Sequence, residues 1–176
     1  SHSHIYVVNA AGGPSIRVSA VEGHYSTPRW SPDGKRIAFT DTQHWNSDVF
    51  VMNADGSGVV NVSQNGAHDY APSWSPDGRH LAFDSERDGP FSNIYTVQLD
   101  SGRLTRLTNN SRGEWSGGAS WSPDGRQLLF SFLTYASGWT PDGRSGLYVM
   151  NTDGSNMTRL TEAPVGAGDT SPTWKR

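Results

Sequence analysis

Apolar side chains come in short bursts at period two, each bounded by a polar or glycine-rich stretch. Arg79 to Asp84 carries Leu81 and Phe83 on one face, and the same figure returns at Arg36 to Phe39 and at Gln127 to Phe130. Alternation of this kind predicts a half-buried strand. A second burst, at Ile5 to Asn9, Val49 to Asn53 and Leu147 to Asn151, predicts another strand downstream of the first. A closing strand ends in Thr105-Arg106-Leu107-Thr108 and Thr158-Arg159-Leu160-Thr161. Between the bursts stand Ser-Pro-Asp-Gly and Asp-Gly-Ser, in which Pro presets φ and Gly accepts the positive φ of a tight reversal. Trp-Ser-Pro-Asp-Gly is complete at Trp30 to Gly34, Trp74 to Gly78 and Trp121 to Gly125, and Trp174 opens a fourth copy. Successive tryptophans lie 44, 47 and 53 residues apart. A period of that size marks units that bury their apolar faces only by stacking on one another.

In the second unit the strands read as Ala71 to Trp74, Arg79 to Asp84, Asn93 to Leu99 and Arg103 to Leu107, which we label a to d. Four antiparallel strands per repeat make a propeller blade. The pattern therefore predicts an all-β chain forming a single β-propeller domain of four blades over residues 1–176. Blade 1 is expected at about 28–63, blade 2 at about 71–108 and blade 3 at about 118–161. The closing blade is expected from 170–176 together with 4–20, lacking its strand b; the alternative reading is that the chain is a piece of a larger propeller. The insertion between Phe130 and Leu147 reads as a long loop, a length that often carries function.

Charge and composition narrow the partners. Fourteen Lys and Arg against 17 Asp and Glu give a net charge of -3, without the basic excess that neutralises a phosphate backbone, so nucleic acid is not an expected partner. No window approaches the roughly 20 apolar residues of a membrane helix. The absence of cysteine removes disulfides, thiolate metal sites and a cysteine nucleophile. Neither a Gly-x-Ser-x-Gly elbow, a Walker loop nor a His-Glu-x-x-His helix is present, so no catalytic residue is assigned.

In an antiparallel blade the d-to-a and b-to-c connections emerge on one face, and the Pro-Asp-Gly and Asp-Gly-Ser turns on the other. The first face gathers His24, Tyr25, Trp45, His68, Asp69 and Tyr70, together with Trp115, Trp139 and Asp169. Rings supply contact area and the polar groups fix orientation, which suits a ligand surface. Five residues before each repeated tryptophan stand Tyr25, Asp69, Ser116 and Asp169. Asp69 and Asp169 belong to opposite blades of a four-bladed ring, where two carboxylates repel unless one is protonated or a cation separates them. His24, His68 and Glu114 are the further candidate metal ligands. An oxygen-rich set suits Ca²⁺ or Mg²⁺, and recruitment of both histidines shifts the preference to Zn²⁺ or Mn²⁺. The competing structural reading is that such an aspartate accepts backbone hydrogen bonds within its own connection.

Trp-Ser-Pro-Asp-Gly, a strand ending in Ala-Phe (Ala38-Phe39, Ala82-Phe83), a strand such as Leu147-Tyr148-Val149-Met150-Asn151, then Asp-Gly-Ser and Leu-Thr recur in fixed order. This resembles the WD40-like repeats of TolB-type β-propellers over essentially the whole chain. The resemblance implies a propeller and no single activity, since similar propellers serve as periplasmic binding proteins, peptidase accessory domains and polysaccharide lyases. It also implies a periplasmic or extracellular setting. The expected function is a non-enzymatic binding or scaffold module whose loop face and channel mouth hold a protein segment, a small-molecule or carbohydrate ligand, or a cation. The alternatives are a divalent-metal-dependent lyase or hydrolase acting on acidic sugars, and a structural subunit that forms a homo-oligomer through the incomplete blade.

Overall fold

The computed structural model describes residues 2–19, 23–43, 45–111, 113–136, 140–141, 145–161 and 172–174. These residues form strands and turns without a helix, and none of their segments is a helix long and apolar enough to cross a membrane. An N-terminal ribbon pairs β1 (Tyr6–Val7) with β2 (Ile16–Arg17). The first full blade runs β3 (Tyr25–Trp30), β4 (Arg36–Gln43), β5 (Asn46–Asn53), β6 (Val60–Asn61), each strand antiparallel to the one before. The second is β7 (Asp69–Trp74), β8 (His80–Ser85), β9 (Asn93–Gln98), β10 (Leu104–Arg106). The third contains β11 (Glu114–Trp121), β12 (Gln127–Ala136), β13 (Thr140–Pro141), β14 (Gly146–Asn151) and β15 (Thr158–Arg159). In that sheet β13 folds back onto β12 beside the main four-strand path.

The turns follow from their side chains. Ser75 Oγ donates to Asp77 Oδ1 (2.5 Å), the Arg79 N–H donates to the same oxygen (3.0 Å), and the His80 N–H donates to Ser75 Oγ (2.9 Å). Ser31 with Asp33 and Ser122 with Asp124 repeat this reversal. The aspartate fixes the turn by satisfying backbone donors that the strands cannot reach.

Alternation along strand b decides which neighbour each side chain meets. Leu81 and Phe83 pack with Ala38, Val49 and Val51 of the first blade, whereas Ala82 faces Ala119, Leu128 and Phe130 of the third. Ile5 and Val18 of the ribbon pack on Ile37, Phe39 and Met52. Indoles tie the innermost strands together: Trp74 Nε1–H donates to the Arg29 carbonyl (3.0 Å), Trp121 Nε1–H to that of Ser73 (3.1 Å) and Trp174 Nε1–H to that of Ser120 (3.0 Å). The segments around all four repeated tryptophans line one open groove of about 710 Å³. Of the expected closing blade, the described parts are the ribbon, stacked on the first blade, and Trp174, bonded to the third; the rest of 170–176 lies outside the described residues except 172–173.

Two details differ from the sequence reading. The innermost strands begin at Tyr25, Asp69 and Glu114, earlier than the expected blade starts, because each carries a bulge after which pairing resumes. The residue three before the tryptophan has positive φ in all three: Thr27 (50°), Ala71 (55°) and Gly118 (65°). The stretch after Phe130, expected as a loop, continues as strand through Ala136 and pairs with Gly146 and Leu147.

A hydroxyl at the end of strand d latches each blade. Ser19, Ser63, Thr108 and Thr161 accept a backbone N–H in or beside strand c, from Ile5 (3.1 Å), Val49 (3.1 Å), Ile94 (2.9 Å) and Leu147 (3.0 Å) respectively. Thr108→Val keeps the volume and removes the acceptor, leaving the buried Ile94 N–H unsatisfied at a cost of about 1–3 kcal/mol. Chemical denaturation checks this, and a change below about 0.5 kcal/mol, the range of ordinary surface substitutions, would contradict it.

Candidate functional site

The bulges make strand ends of residues that read as loop. Tyr25, Asp69, Tyr70, Glu114 and Trp115 all open innermost strands, and His24 and His68 directly precede theirs. Both histidines are exposed. The His24 N–H donates to Asp41 Oδ1 (3.2 Å) and its ring lies 5.6 Å from that of His2. The His68 carbonyl accepts the Glu86 N–H (2.9 Å). Glu114 Oε2 accepts from the Ser111 N–H (2.8 Å) and Oγ (2.7 Å), closing its own loop.

Trp45 stands apart from these. It sits in the turn between β4 and β5 on the loop face, 95% exposed, with φ of 67°. A left-handed backbone is rare for a bulky residue and strained. Here it holds a whole indole out into solvent.

Asp69 is fully buried, and both its oxygens are engaged. Oδ1 accepts from Arg87 Nη2 (3.2 Å) and Oδ2 from Asn65 Nδ2. Arg87 also donates to the Ser63 carbonyl (3.2 Å) and Ser85 Oγ (2.8 Å), and its guanidinium lies over the Phe83 and Tyr95 rings at 5.5 and 4.7 Å. This clasp joins the end of the first blade to the second. Nearby Asp48 accepts from Ser63 Oγ (3.1 Å), and desolvation followed by the charge of Asp69 holds its carboxyl above the usual range.

Sequence reasoning missed Asp84. Its carboxyl is 1% exposed, and burial pushes it up to about 8 against an ordinary 3.8, opposed by the Gly118 N–H that donates to Oδ1 (3.1 Å) and Oδ2 (2.9 Å). Tyr70 pairs across from Asp84 in the sheet, with its own hydroxyl raised chiefly by burial. A Cβ at Gly117 would stand 2.5 Å from both Asp84 Oδ2 and the Trp115 ring, so only glycine lets the three pack together. The signal lay in the repeat: the same strand b position is Thr40 in the first blade and Ser131 in the third.

Of the candidate residues, Tyr70 and Trp115 thus gather around Asp84, Asp69 belongs to the Arg87 clasp, and Trp45 stands alone. Trp139 and Asp169 lie outside the described residues. Among the described residues no three His, Asp or Glu side chains gather closely enough to hold a metal ion.

The model of the TolB beta propeller domain matches residues 1–138 of the chain. Among solved structures, TolB from Agrobacterium tumefaciens superposes with a TM-score of 0.76 at 24% identity, covering 98% of this chain and 61% of that one. TolB from Acinetobacter baumannii gives 0.70 at 24% identity, covering 89% and 37%. An oligogalacturonate lyase in complex with manganese gives 0.62 at 19% identity, covering 88% and 41%. Identities this low show a shared fold, and the chain spans less than two thirds of each of these proteins. Among curated protein sequences no match is found.

Proposed function

Because the chain belongs to the TolB β-propeller domain family, we propose that it is a non-enzymatic binding module that holds a polypeptide segment on its loop face. The observation that carries this reading is Trp45, a strained backbone presenting an almost fully exposed indole. A single exposed apolar residue is ordinary on a surface, but one maintained against backbone strain indicates a use for it. Half-buried Tyr25, Tyr70 and Trp115 add further rings elsewhere on the same face, and aromatic anchors of this kind dominate interface energies. The family supports a periplasmic or extracellular setting for such a module.

The test is selection of binders from a displayed random peptide library, followed by affinity measurement on Trp45→Ala. The substitution removes no buried contact, so the fold is retained. Loss of at least about tenfold in affinity, roughly 1.4 kcal/mol, is the expected result. Selected peptides that bind Trp45→Ala as tightly as the parent would overturn the reading.

A further inference from the structure

The opposite face, built from the reversal turns, differs between its two complete inter-blade junctions. Between the first and second blades, Arg36 crosses the junction. Its guanidinium lies 4.8 Å from the Trp74 ring, and Nη2 donates to the carbonyl of Gly78 in the next turn (2.7 Å). His80 occupies the same repeat position between the second and third blades. Its shorter side chain lies beside Trp121, ring centroids 6.3 Å apart, and among the described residues no side chain donates to the Gly125 carbonyl. A cavity of about 540 Å³ opens there, with Trp121 and His80 in its wall.

Three carboxylates line this cavity, Asp77, Asp124 and Asp153, against the single guanidinium of Arg103. Each uses Oδ1 for its own turn, and among the described residues each Oδ2 accepts no hydrogen bond. The serine hydroxyl in each turn holds the carboxyl below its usual range, so all three stay charged at neutral pH. Arg103 itself makes no ion pair among the described residues. Aromatic face, free carbonyl and negative charge are what a planar cation requires.

We propose that this cavity is a docking site for an arginine side chain of an extended polypeptide, its guanidinium over Trp121 and donating to the Gly125 carbonyl, as Arg36 does within the chain at Trp74 and Gly78. The volume lies in the range of ligand pockets, about 300–1,000 Å³, and exceeds what one guanidinium fills. The cavity runs on to Thr105 in β10, whose outer edge has no strand partner among the described residues, and such an edge accepts an extended backbone. Both features favour a peptide-borne arginine over the free amino acid. This site is separate from the loop face, and Trp45→Ala leaves it intact.

The test follows the Trp121 indole N–H by NMR during titration with an acetylated, amidated Gly-Arg-Gly peptide. Parallel titrations use the lysine and citrulline counterparts and free arginine. The arginine peptide binds at least about tenfold tighter than each of the others, and His80→Arg, which fills the cavity from within, abolishes its binding by at least the same factor. Arg36 shows that arginine is accommodated at this repeat position, so His80→Arg folds, and circular dichroism verifies it. Equal binding of the lysine or citrulline peptide, or undiminished binding to His80→Arg, overturns the site. Free arginine binding as tightly as the peptide overturns the polypeptide as its source.

Discussion

Raising the pH from 5 to 8 lowers the unfolding temperature of the chain, and Asp84→Asn removes most of that dependence. The folded carboxyl titrates at about 8 and the unfolded one near 3.8, so folding takes up a proton between these values. The contribution of Asp84 is fully present below the unfolded value and is lost as pH rises through the folded one. The slope approaches about 1.4 kcal/mol per pH unit within the window. For a chain of this length each kcal/mol moves the unfolding temperature by about 2–4 °C, so the difference across the window is several degrees. The aspartates held low by their turns, Asp33, Asp55, Asp77, Asp124 and Asp153, act on the acid side, where stability falls as pH drops through their folded values. Asp48, its carboxyl raised chiefly by desolvation, acts in the same sense as Asp84, its contribution lost as pH rises through its folded value. An amide at residue 84 keeps an oxygen for the Gly118 N–H and carries no charge to desolvate. Thermal melts at half-unit pH steps make the comparison, and parallel curves for parent and variant would refute it.

Asp69→Ala is expected to cost about 3–5 kcal/mol, the penalty for removing one partner of a buried ion pair. Arg87, with 15% of its side chain exposed, would keep its charge against the Phe83 and Tyr95 rings without the carboxylate that balances it. Replacing both partners, Asp69→Leu with Arg87→Met, should recover much of the loss, because no uncompensated charge then remains. Urea unfolding of the two singles and the double gives the coupling energy directly. If Asp69→Ala lies within about 1 kcal/mol of the parent, the clasp does not hold the blades together and Asp69 is kept for another reason.

Features set by local sterics could be read along the chain. Period-two bursts and Ser-Pro-Asp-Gly turns report strand faces and reversals without knowledge of what lies opposite. Asp69 was visible as an unusual acidic position, but its partner Arg87 was not, because their meeting depends on the register that sets Asp69 against Ser85. The bulges were hidden for a related reason. Their positive φ falls on Thr27 and Ala71, residue types that do not announce it, and only Gly118 matches expectation. The extension of β12 escaped because Ser131 to Ala136 mixes polar and apolar residues that become a strand only when β11 and β14 pair on either side. The turn-face cavity is a difference between copies of one motif, Arg36 against His80, and comparing repeats position by position would have exposed it from sequence.

The indole bonds also have a direction. Trp74, Trp121 and Trp174 each reach back to a carbonyl made earlier in the chain, at Arg29, Ser73 and Ser120. During translation at roughly 5–20 residues per second, the acceptor of each of these three indole bonds is therefore synthesised before its donor. For the indoles, the direction of synthesis and the direction of the bonds coincide.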